Sequence, residues 1–576
     1  MLKPFLLRLC RCYAVSYRGD ERLPDDHASA EFIDQQLQRQ PWWRATGLRL
    51  LLSVWGLWCA VRYPGDAALR AHLGRARRGR VFPLRLLAKF IQSLVLLRLF
   101  AGQEPAAAPL ARRPARVPSR AEVVVVGSGP AGAVVATYLA ERGINTVLLE
   151  EGGWQSDRLA YGWREMLEGM RWGGIDLIPG RPPLVTLEGC AVGGASEVNS
   201  ALYLRAPASI LAGWQQTLGC GLGLTEHYAA LETELGLDLA AADGSPLSTR
   251  LAQGASRLGW QWQTLGRLQR SAVPLSLRSD YRSMATTLLP RFEAAGGVLC
   301  SAARVENIRR WDDRWLVSCD GAEGESLSAA AVVLAAGAYQ TPRLLRRSKL
   351  GGPHVGRGLH SSVVLKIVAE FEQPVNDTGG AIGAVQVREF APRLTLGCAV
   401  SHRAQLAQAL AVYPGPQALL DRWRHMGVFS VILSPQSRGE VTAGSVRYPL
   451  AESDWQALAE GVNALARLLA ASGARALYPV AELAPMLAPT HLPIVSGQEL
   501  RQWQPQLLML HPTASCHMAA SAAEGVVDSQ GRVFTAPDLW VCDASSLPGY
   551  PGANPQATVM AMARRQAAGI LHQLRG

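Results

Sequence analysis

The stretch Val123–Glu151, VVVVGSGPAGAVVATYLAERGINTVLLEE, decides the fold of this chain. Its four consecutive valines, Val123–Val126, are typical of a parallel strand that is buried on both faces. A glycine turn follows, then a predicted helix over Ala133–Arg142 and a second predicted strand over Thr146–Leu149. The order strand, helix, strand predicts the βαβ unit of a dinucleotide-binding domain.

The glycines of the turn, Gly127, Gly129 and Gly132, form the pattern G-x-G-x-x-G. In such a turn the first glycine permits the tight bend, the second lets the backbone approach a pyrophosphate, and the third lets the helix pack closely on the strand. Glu150 ends the second strand, where a carboxylate accepts hydrogen bonds from ribose hydroxyls. A glycine pattern alone is weak evidence, but here both strands and the acid accompany it. We therefore predict nucleotide binding.

A segment rich in small residues, GCAVGGASEVNSALYLR over 189–205, indicates the kind of nucleotide. It combines backbone amides with short polar side chains, a combination suited to a flat polar ring system. The predicted cofactor contacts in this segment are Gly193, Gly194, Ser196 and Asn199.

Two further segments contain the same kinds of residue. AVVLAAGAYQTPRLL, over 331–345, predicts a buried strand that leads into Gly337, where small residues let a ligand touch the backbone. HPTASCHM begins at His511, and GANPQATVM, which contains Asn554, lies before the C-terminal end.

In this order, the segments resemble the glucose-methanol-choline family of flavin oxidoreductases, over about residues 121–576. In that family the strand that ends in an acid, the GG-x-S-x-x-N stretch, the AAGA-x-x-(S/T)-P stretch and the closing histidine and asparagine segments surround one FAD. The resemblance implies further cofactor contacts at Val305, Asp543 and Ala544. The stretch 429–474 resembles most the long-chain fatty alcohol oxidase branch.

The resemblance also implies a catalytic pair. His511 matches the histidine that opens the family's H-x-x-G-(S/T)-C-R-M stretch, and Asn554 matches a position held by asparagine or a second histidine. A neutral imidazole is suited to take the hydroxyl proton of an alcohol while its carbon gives hydride to flavin N5. The Asn554 amide would hold the substrate oxygen.

The chain departs from the family at three of these positions. The family's glycine and arginine in the histidine stretch are here Ala514 and His517, and we interpret His517 as structural. Val198 stands where some members carry a histidine bonded covalently to the flavin. We therefore expect FAD to be bound without a covalent link.

The resemblance implies an α/β fold with three parts. A Rossmann-like FAD-binding domain would combine 121–207 with 283–360 and 510–576. A substrate domain would combine 208–282 with 361–509, where the alternating apolar residues of VVLKIVAEF and VFSVILS favour an antiparallel sheet.

Ten cysteines without C-x-x-C or metal-ligand spacing indicate no metal site.

Residues 1–120 form a basic, predominantly helical addition that ends in a proline- and arginine-rich linker. The apolar run Leu50–Val61 is too short to span a bilayer, and 82–100 is interrupted by charges. Within 82–100, the polar residues Arg85, Lys89 and Gln92 fall on one helical face. Tryptophans and arginines are typical of helices that lie on a membrane surface. The alternative is that these helices pack on the enzyme and cover a substrate entrance.

The net charge of +12 favours an acidic partner such as the cytoplasmic face of a membrane, where we expect peripheral attachment. Nucleic acid is not predicted, because no recognition motif accompanies the charge.

We predict an FAD-dependent dehydrogenase or oxidase for a hydrophobic, long-chain alcohol. The electron acceptor, whether oxygen, a quinone or a carrier protein, is left open. One alternative is non-oxidative or light-driven chemistry, by a lyase or decarboxylase acting on a lipid, since fold does not fix function. Another is a catalytically silent flavoprotein that serves a partner.

Overall fold

The computed structural model describes most of the chain. The described residues are 2–18, 26–78, 82–100, 116–154, 168–174, 176–237, 245–268, 281–320, 326–376, 383–399 and 401–576.

The helices of the described residues number sixteen. They are α1 (Leu2–Arg18), α2 (Asp26–Gln38), α3 (Trp42–Arg62), α4 (Asp66–Arg78), α5 (Phe82–Phe100), α6 (Pro130–Ala140), α7 (Ala208–Leu218), α8 (Leu224–Leu235), α9 (Pro246–Arg257), α10 (Leu288–Ala294), α11 (Gly337–Arg347), α12 (Arg403–Leu410), α13 (Pro416–Leu420), α14 (Glu452–Ala471), α15 (Gly497–Gln502) and α16 (Gln556–Arg575).

The strands form two large sheets and one small pair. They are β1 (Arg120–Val126), β2 (Thr146–Leu149), β3 (Asp176–Ile178), β4 (Leu184–Thr186), β5 (Leu202–Tyr203), β6 (Trp262–Thr264), β7 (Gly266–Arg267), β8 (Val298–Cys300), β9 (Arg304–Trp311), β10 (Arg314–Asp320), β11 (Ser326–Leu334), β12 (Arg357–Phe371), β13 (Val385–Val387), β14 (Leu394–Cys398), β15 (Met426–Leu433), β16 (Gly439–Val441), β17 (Val446–Arg447), β18 (Ala474–Pro479), β19 (Leu507–Thr513) and β20 (Leu539–Val541).

The first sheet has seven strands in the order β8-β2-β1-β11-β10-β9, with β20 also paired to β11. Its centre is parallel, because β1 pairs with both β2 and β11 in parallel. The four valines of β1 are buried, as expected for a strand covered on both faces. Helices α6 and α16 pack together on this sheet, and the predicted βαβ unit is therefore confirmed.

The second sheet has eleven strands, eight of them in the order β3-β4-β19-β12-β15-β14-β13-β6. Its long strand β12 pairs antiparallel with β15, β16, β18 and β19. The predicted antiparallel sheet is therefore confirmed. Strands β3 and β4 lie within the range predicted for the FAD-binding domain, yet they hydrogen-bond into the second sheet, β4 through β19.

The N-terminal helices α1 to α5 pack against one another and against the second sheet. Helix α5 contacts α12, and its buried Ile91 and Leu94 share a core cluster with Val428 of β15. Within the described residues, no helix is both long and apolar enough to cross a bilayer. The region is a helical layer built onto the second sheet.

Candidate active site

The glycine turn packs as tightly as its pattern requires. Gly127 has a φ of +101°, and a Cβ there would lie 2.5 Å from the carbonyl oxygen of Ala335. A Cβ on Gly132 would lie only 1.8 Å from the carbonyl oxygen of Gly127. Both positions therefore exclude any side chain, and Gly132 serves the approach of α6 to β1.

The wall beyond this turn is bare backbone. A Cβ on Gly129 would meet nothing closer than the Cα of Gly194, at 3.9 Å, and a Cβ on Gly337 would meet no atom within 4 Å. Gly129 also precedes Pro130, the first residue of α6, so the N–H groups at the N-terminus of α6 are available to an anion. This open wall suits a pyrophosphate.

Glu150 is held in place by the turn that it faces. Its Oε2 accepts hydrogen bonds from the Ser128 backbone N–H at 2.9 Å and from the Ser128 hydroxyl at 2.7 Å, and its Oε1 accepts from Gly152 N–H at 2.7 Å. Burial raises the pKa of Glu150, and these donated hydrogen bonds oppose that shift. Glu150 lines the cavity and keeps acceptor capacity for a ribose hydroxyl.

Asp543 is a second buried carboxylate, and it joins separate segments of the chain. Its Oδ2 accepts from Gly337 N–H at 2.8 Å and from the Thr341 hydroxyl at 2.6 Å, while its Oδ1 accepts from the backbone and the hydroxyl of Ser545. Burial raises the pKa of Asp543, and these four hydrogen bonds favour the charged form.

His511 lies near the end of β19 with an unusual backbone. Its φ is +66°, a left-handed conformation that is uncommon outside glycine and that clusters at functional sites. Ala514, which replaces the family's glycine, has a φ of +63°. The N–H of Ala514 bonds to the carbonyl of Ala544, and the N–H of Cys516 bonds to that of Ser545. The histidine segment is therefore anchored to the segment that follows Asp543.

The hydrogen bonds of His511 indicate which ring nitrogen is free. Its Nδ1 lies 3.1 Å from the Ser362 hydroxyl, and that hydroxyl lies 2.7 Å from the carbonyl oxygen of Leu510. A carbonyl only accepts, so Ser362 donates to Leu510 and accepts from Nδ1–H. The other nitrogen, Nε2, then carries no proton and has no partner among the described residues. Burial lowers the pKa of His511 to about 4.

Tyr550 and His360 support this arrangement. The Tyr550 ring stacks on His511 at 11°, with ring centroids 6.3 Å apart. The N–H of Tyr550 donates to Nδ1 of His360 at 2.9 Å, and Nε2 of His360 lies 2.8 Å from the Pro435 carbonyl oxygen. His360 is thus neutral, consistent with the burial that lowers its pKa to about 4.

One cavity of about 1210 Å³ brings most of the predicted site residues together. Those that line it are Gly127, Gly129, Glu150, Gly194, Asn199, Val305, Gly337, His511, Asp543, Ala544 and Asn554. The Asn554 amide has no hydrogen-bond partner among the described residues. His511 and Asn554 therefore offer an acceptor nitrogen and a free amide to the same space.

Three predicted cofactor residues do not line the cavity, and their contacts explain why. Gly132 packs α6 onto β1. The N–H of Gly193 donates to the Ser128 hydroxyl at 3.0 Å, and the Ser196 hydroxyl is buried, donating to the Gly193 carbonyl and accepting from Met284 N–H. Their role is to hold in place the backbone of neighbouring residues that line the cavity. His517 also lies outside the cavity lining, and its Nε2 lies 2.9 Å from the carbonyl oxygen of Glu524.

The remaining wall comes from the second sheet and from α5. The polar face of α5 predicted from sequence, Arg85, Lys89 and Gln92, lines the cavity. Lys89 pairs with Glu482 at 3.0 Å, and Arg85 donates to Gln504 at 3.3 Å. Helix α5 therefore packs against the second sheet and forms part of the cavity wall.

Sequence comparison assigns the family. Residues 121–364 and 435–563 match the N-terminal and C-terminal domains of the GMC oxidoreductases. An uncharacterized GMC-type oxidoreductase of Sinorhizobium fredii, y4nJ, is 30% identical over 485 residues, which cover 78% of this chain and 94% of that protein. This chain belongs to the GMC oxidoreductase family. It is an FAD-dependent oxidoreductase.

More distant relatives of this GMC oxidoreductase include the long-chain-alcohol oxidase FAO1 of Arabidopsis thaliana. That protein is 24% identical over 522 residues, which cover 77% of this chain and 65% of FAO1. Among solved structures, pyridoxine 4-oxidase from Mesorbium loti superposes with a TM-score of 0.63 at 18% identity, covering 78% of this chain and 99% of that one. The latter similarity concerns the fold.

The residues of this GMC oxidoreductase fit FAD. The bare backbone at Gly129 and Gly337 leaves space for a pyrophosphate, and Glu150 is positioned for a ribose. The cavity is larger than the roughly 300–1,000 Å³ of common ligand pockets, so it has room for a cofactor and a second molecule.

We predict that Gly129→Ala folds but binds FAD poorly. The new methyl group would meet no protein atom closer than 3.9 Å, yet it would occupy the wall that we assign to the pyrophosphate. Loss of one close contact of this kind corresponds to about a tenfold rise in Kd, or ~1.4 kcal/mol. Flavin content per chain and the melting temperature of the apoprotein measure the two effects separately.

Gly213→Ala is the matched control, because a Cβ there has nothing within 4 Å and lies on α7 outside the cavity lining. Full flavin occupancy in Gly129→Ala would show that the pyrophosphate does not lie at this turn.

Proposed function

We propose that this GMC oxidoreductase oxidises the CH–OH group of a hydrophobic, long-chain alcohol to an aldehyde or ketone. The observation that carries the proposal is the pair formed by His511 Nε2 and the Asn554 amide. Both lie on the wall of one cavity, and neither has a hydrogen-bond partner among the described residues. In support, the wall formed by α5 and the second sheet is rich in apolar residues: Phe90, Leu96, Leu97, Val364, Val428, Ile432, Val480 and Leu508. The similarity to long-chain-alcohol oxidases points to the same substrate class.

In the proposed reaction His511 is the base. Its unprotonated Nε2 accepts the proton of the substrate hydroxyl, while Ser362 holds Nδ1–H and so fixes the ring orientation. The Asn554 amide donates to the substrate oxygen. FAD, when bound, supplies the acceptor for the hydride that leaves the alcohol carbon. The apolar wall and the α5 cover keep water away from this transfer.

We propose that FAD is bound without a covalent link. Val198 lines the cavity at the position where some family members carry a flavin-bonded histidine, and its side chain offers no nucleophile.

We also propose that α3 attaches the enzyme peripherally to an anionic lipid surface, such as the cytoplasmic leaflet. Eight of the fourteen exposed large hydrophobic side chains among the described residues lie on α3. The spacing of these side chains is helical: Leu50, Val54, Leu57 and Val61 recur every three to four residues, and Trp43 lies seven residues before Leu50. This spacing places all five on one outward stripe. An exposed apolar stripe of this kind marks an interaction surface.

The charge distribution supports lipid as the occupant. The first 120 residues contain 21 basic and 8 acidic side chains, a surplus that exceeds the net charge of +12 of the whole chain. An apolar helix face within a basic region is typical of helices that insert into an anionic interface.

The alcohol oxidation is tested by adding alcohols to the flavin-loaded enzyme under argon. We expect long-chain primary alcohols to bleach the flavin and sterols and sugars to leave it oxidised; readmitting oxygen then separates oxidase from dehydrogenase. Acid precipitation of the same sample should release the flavin, as a non-covalent link requires. A bound flavin that no alcohol reduces would favour the non-oxidative alternative.

His511→Ala should retain FAD and lower the rate of flavin reduction by about 10²-fold or more, because a general base typically contributes at least that factor. Stopped-flow absorbance measures the rate. His517→Ala is the matched control, since that imidazole is outside the cavity lining and should change the rate little. If His511→Ala keeps more than about a tenth of the rate, His511 is not the base.

The pH profile should carry the signature of a buried base. His511 acts in its neutral form, and burial lowers its pKa to about 4. The rate of flavin reduction should therefore stay level as the pH falls through the ordinary histidine range and decline only as it approaches 4. A decline centred near 6.5, the ordinary histidine pKa, would contradict this account.

Membrane attachment is tested by co-sedimentation with vesicles that contain phosphatidylglycerol. We expect the triple variant Leu50→Gln, Val54→Gln, Val61→Gln to lower the partition coefficient at least about tenfold, since each buried apolar side chain contributes ~1.5–3 kcal/mol. Trp311→Gln with Ile494→Gln removes exposed apolar side chains elsewhere and should have no effect. If the triple variant sediments with the vesicles as much as the wild type does, the stripe belongs to another partner. The same follows if the wild type is a dimer and the triple variant is a monomer.

A further inference from the structure

Lys366 is a cation on the wall of the cavity that the proposed reaction does not use. It lies in the middle of β12 and is one of only four lysines in the chain. Residues two apart on a strand share a face, so Lys366 lies on the same side of β12 as Val364 and as Ser362, the partner of His511. From Ser362 to Lys366 the strand rises about 13 Å.

Among the described residues, the Lys366 ammonium has no carboxylate at ion-pair distance and no hydrogen-bond acceptor. The carboxylates that line the cavity are already engaged elsewhere: Glu150 and Asp543 by the backbone and hydroxyl groups described above, and Glu151 and Glu188 by Arg171. The cations of α5 that line the cavity also have partners of their own. On the part of the wall formed by α5 and the second sheet, Lys366 is thus the one cation without a partner among the described residues.

The surroundings of Lys366 form a polar row across four adjacent strands. Lys366 pairs with Ser430, Ser430 with Gly397, and Gly397 with Gln386, and all four line the cavity. Directly paired residues have Cβ atoms about 4.5–5.5 Å apart, so Ser430 lies beside the Lys366 side chain. The Ser430 hydroxyl donates to the Gly397 carbonyl oxygen at 3.3 Å. Gly397 adds no side chain and leaves space above the row.

The rows on either side are apolar. The neighbouring pair towards Ser362 is Val364 with Ile432, and the pair on the other side is Val368 with Val428. A cation enclosed in this way is costly unless an anion accompanies it. Burial lowers the pKa of Lys366 to about 8, which reflects the same cost.

We propose that Lys366 binds a carboxylate at the end of the alcohol remote from its hydroxyl, so that the preferred substrate is a long-chain hydroxy acid. This inference rests on the proposed alcohol oxidation for its substrate, but the binding of the carboxylate itself does not depend on turnover. The separation of about 13 Å along β12 exceeds the length of short hydroxy acids.

The test compares Lys366→Met with the wild type on two substrates of equal chain length, 12-hydroxydodecanoate and 1-dodecanol. The wild type should prefer the hydroxy acid in kcat/KM by at least about tenfold, and Lys366→Met should reduce that ratio about 10- to 100-fold, the range expected for one charged hydrogen bond. Lys349→Met, which removes an exposed ammonium outside the cavity lining, should leave the ratio unchanged.

Binding of dodecanoate provides a readout that needs no turnover. Dodecanoate, added to the flavin-loaded enzyme, should perturb the flavin absorbance, and its Kd should rise at least about tenfold in Lys366→Met. If Lys366→Met does not fold, Lys366→Gln tests the same charge. Dodecanoate bound equally by wild type and variant, or a substrate ratio that the variant leaves intact, overturns the inference.

The two readouts separate this inference from the proposed function. If neither substrate reduces the flavin but Lys366→Met still weakens dodecanoate binding, the carboxylate subsite stands and the alcohol oxidation fails. If both substrates reduce the flavin equally well in wild type and variant, the oxidation stands and the subsite fails.

Discussion

The buried carboxylate of Asp543 is the constraint on which the site depends. Its four hydrogen bonds tie the start of α11 to the segment that follows β20. That segment in turn accepts hydrogen bonds from the backbone N–H groups of Ala514, Cys516 and Met518, shortly after His511. A hydrogen bond to a charged group contributes ~1.5–3 kcal/mol, so the loss of any of these donors would weaken the connection between the two segments. The position of the proposed base is therefore coupled to helix α11, which begins at Gly337.

The helical layer has two different surfaces, one facing the cavity and one facing the exterior. Helix α5 turns a polar face inward, where Lys89 reaches Glu482 and Arg85 reaches Gln504 at the cavity wall. Helix α3 turns an apolar face outward. These two features accompany the apolar core that the helical layer shares with the second sheet. The arrangement suits a substrate that moves from a lipid phase into a cavity with a few charged anchors.

Sequence reasoning recovered the parts that are local in the chain. The βαβ unit, the glycine turn and Glu150 lie within one 29-residue stretch, and backbone periodicity predicts their geometry directly. Ser362, Tyr550 and Lys366 were missed because their importance comes from cross-strand pairs and ring contacts between distant segments, as with Ser362 and His511, 149 positions apart. Gly193 and Ser196 carry the family's pattern, yet the sequence could not distinguish residues that contact a cofactor from residues that hold the backbone beside it. The polar face of α5 was visible as a stripe, but its direction depends on the sheet against which the helix packs.

The central claim is that one cavity brings an alcohol carbon, a neutral imidazole and the cofactor together for hydride transfer. The most direct test is stopped-flow reduction of the flavin by 1-dodecanol and by 1-dodecanol carrying two deuterium atoms on the alcohol carbon, under argon. The account predicts that both substrates bleach the flavin and that deuterium slows the bleaching, because the C–H bond breaks in that step. Flavin that stays oxidised in the presence of either substrate would contradict it.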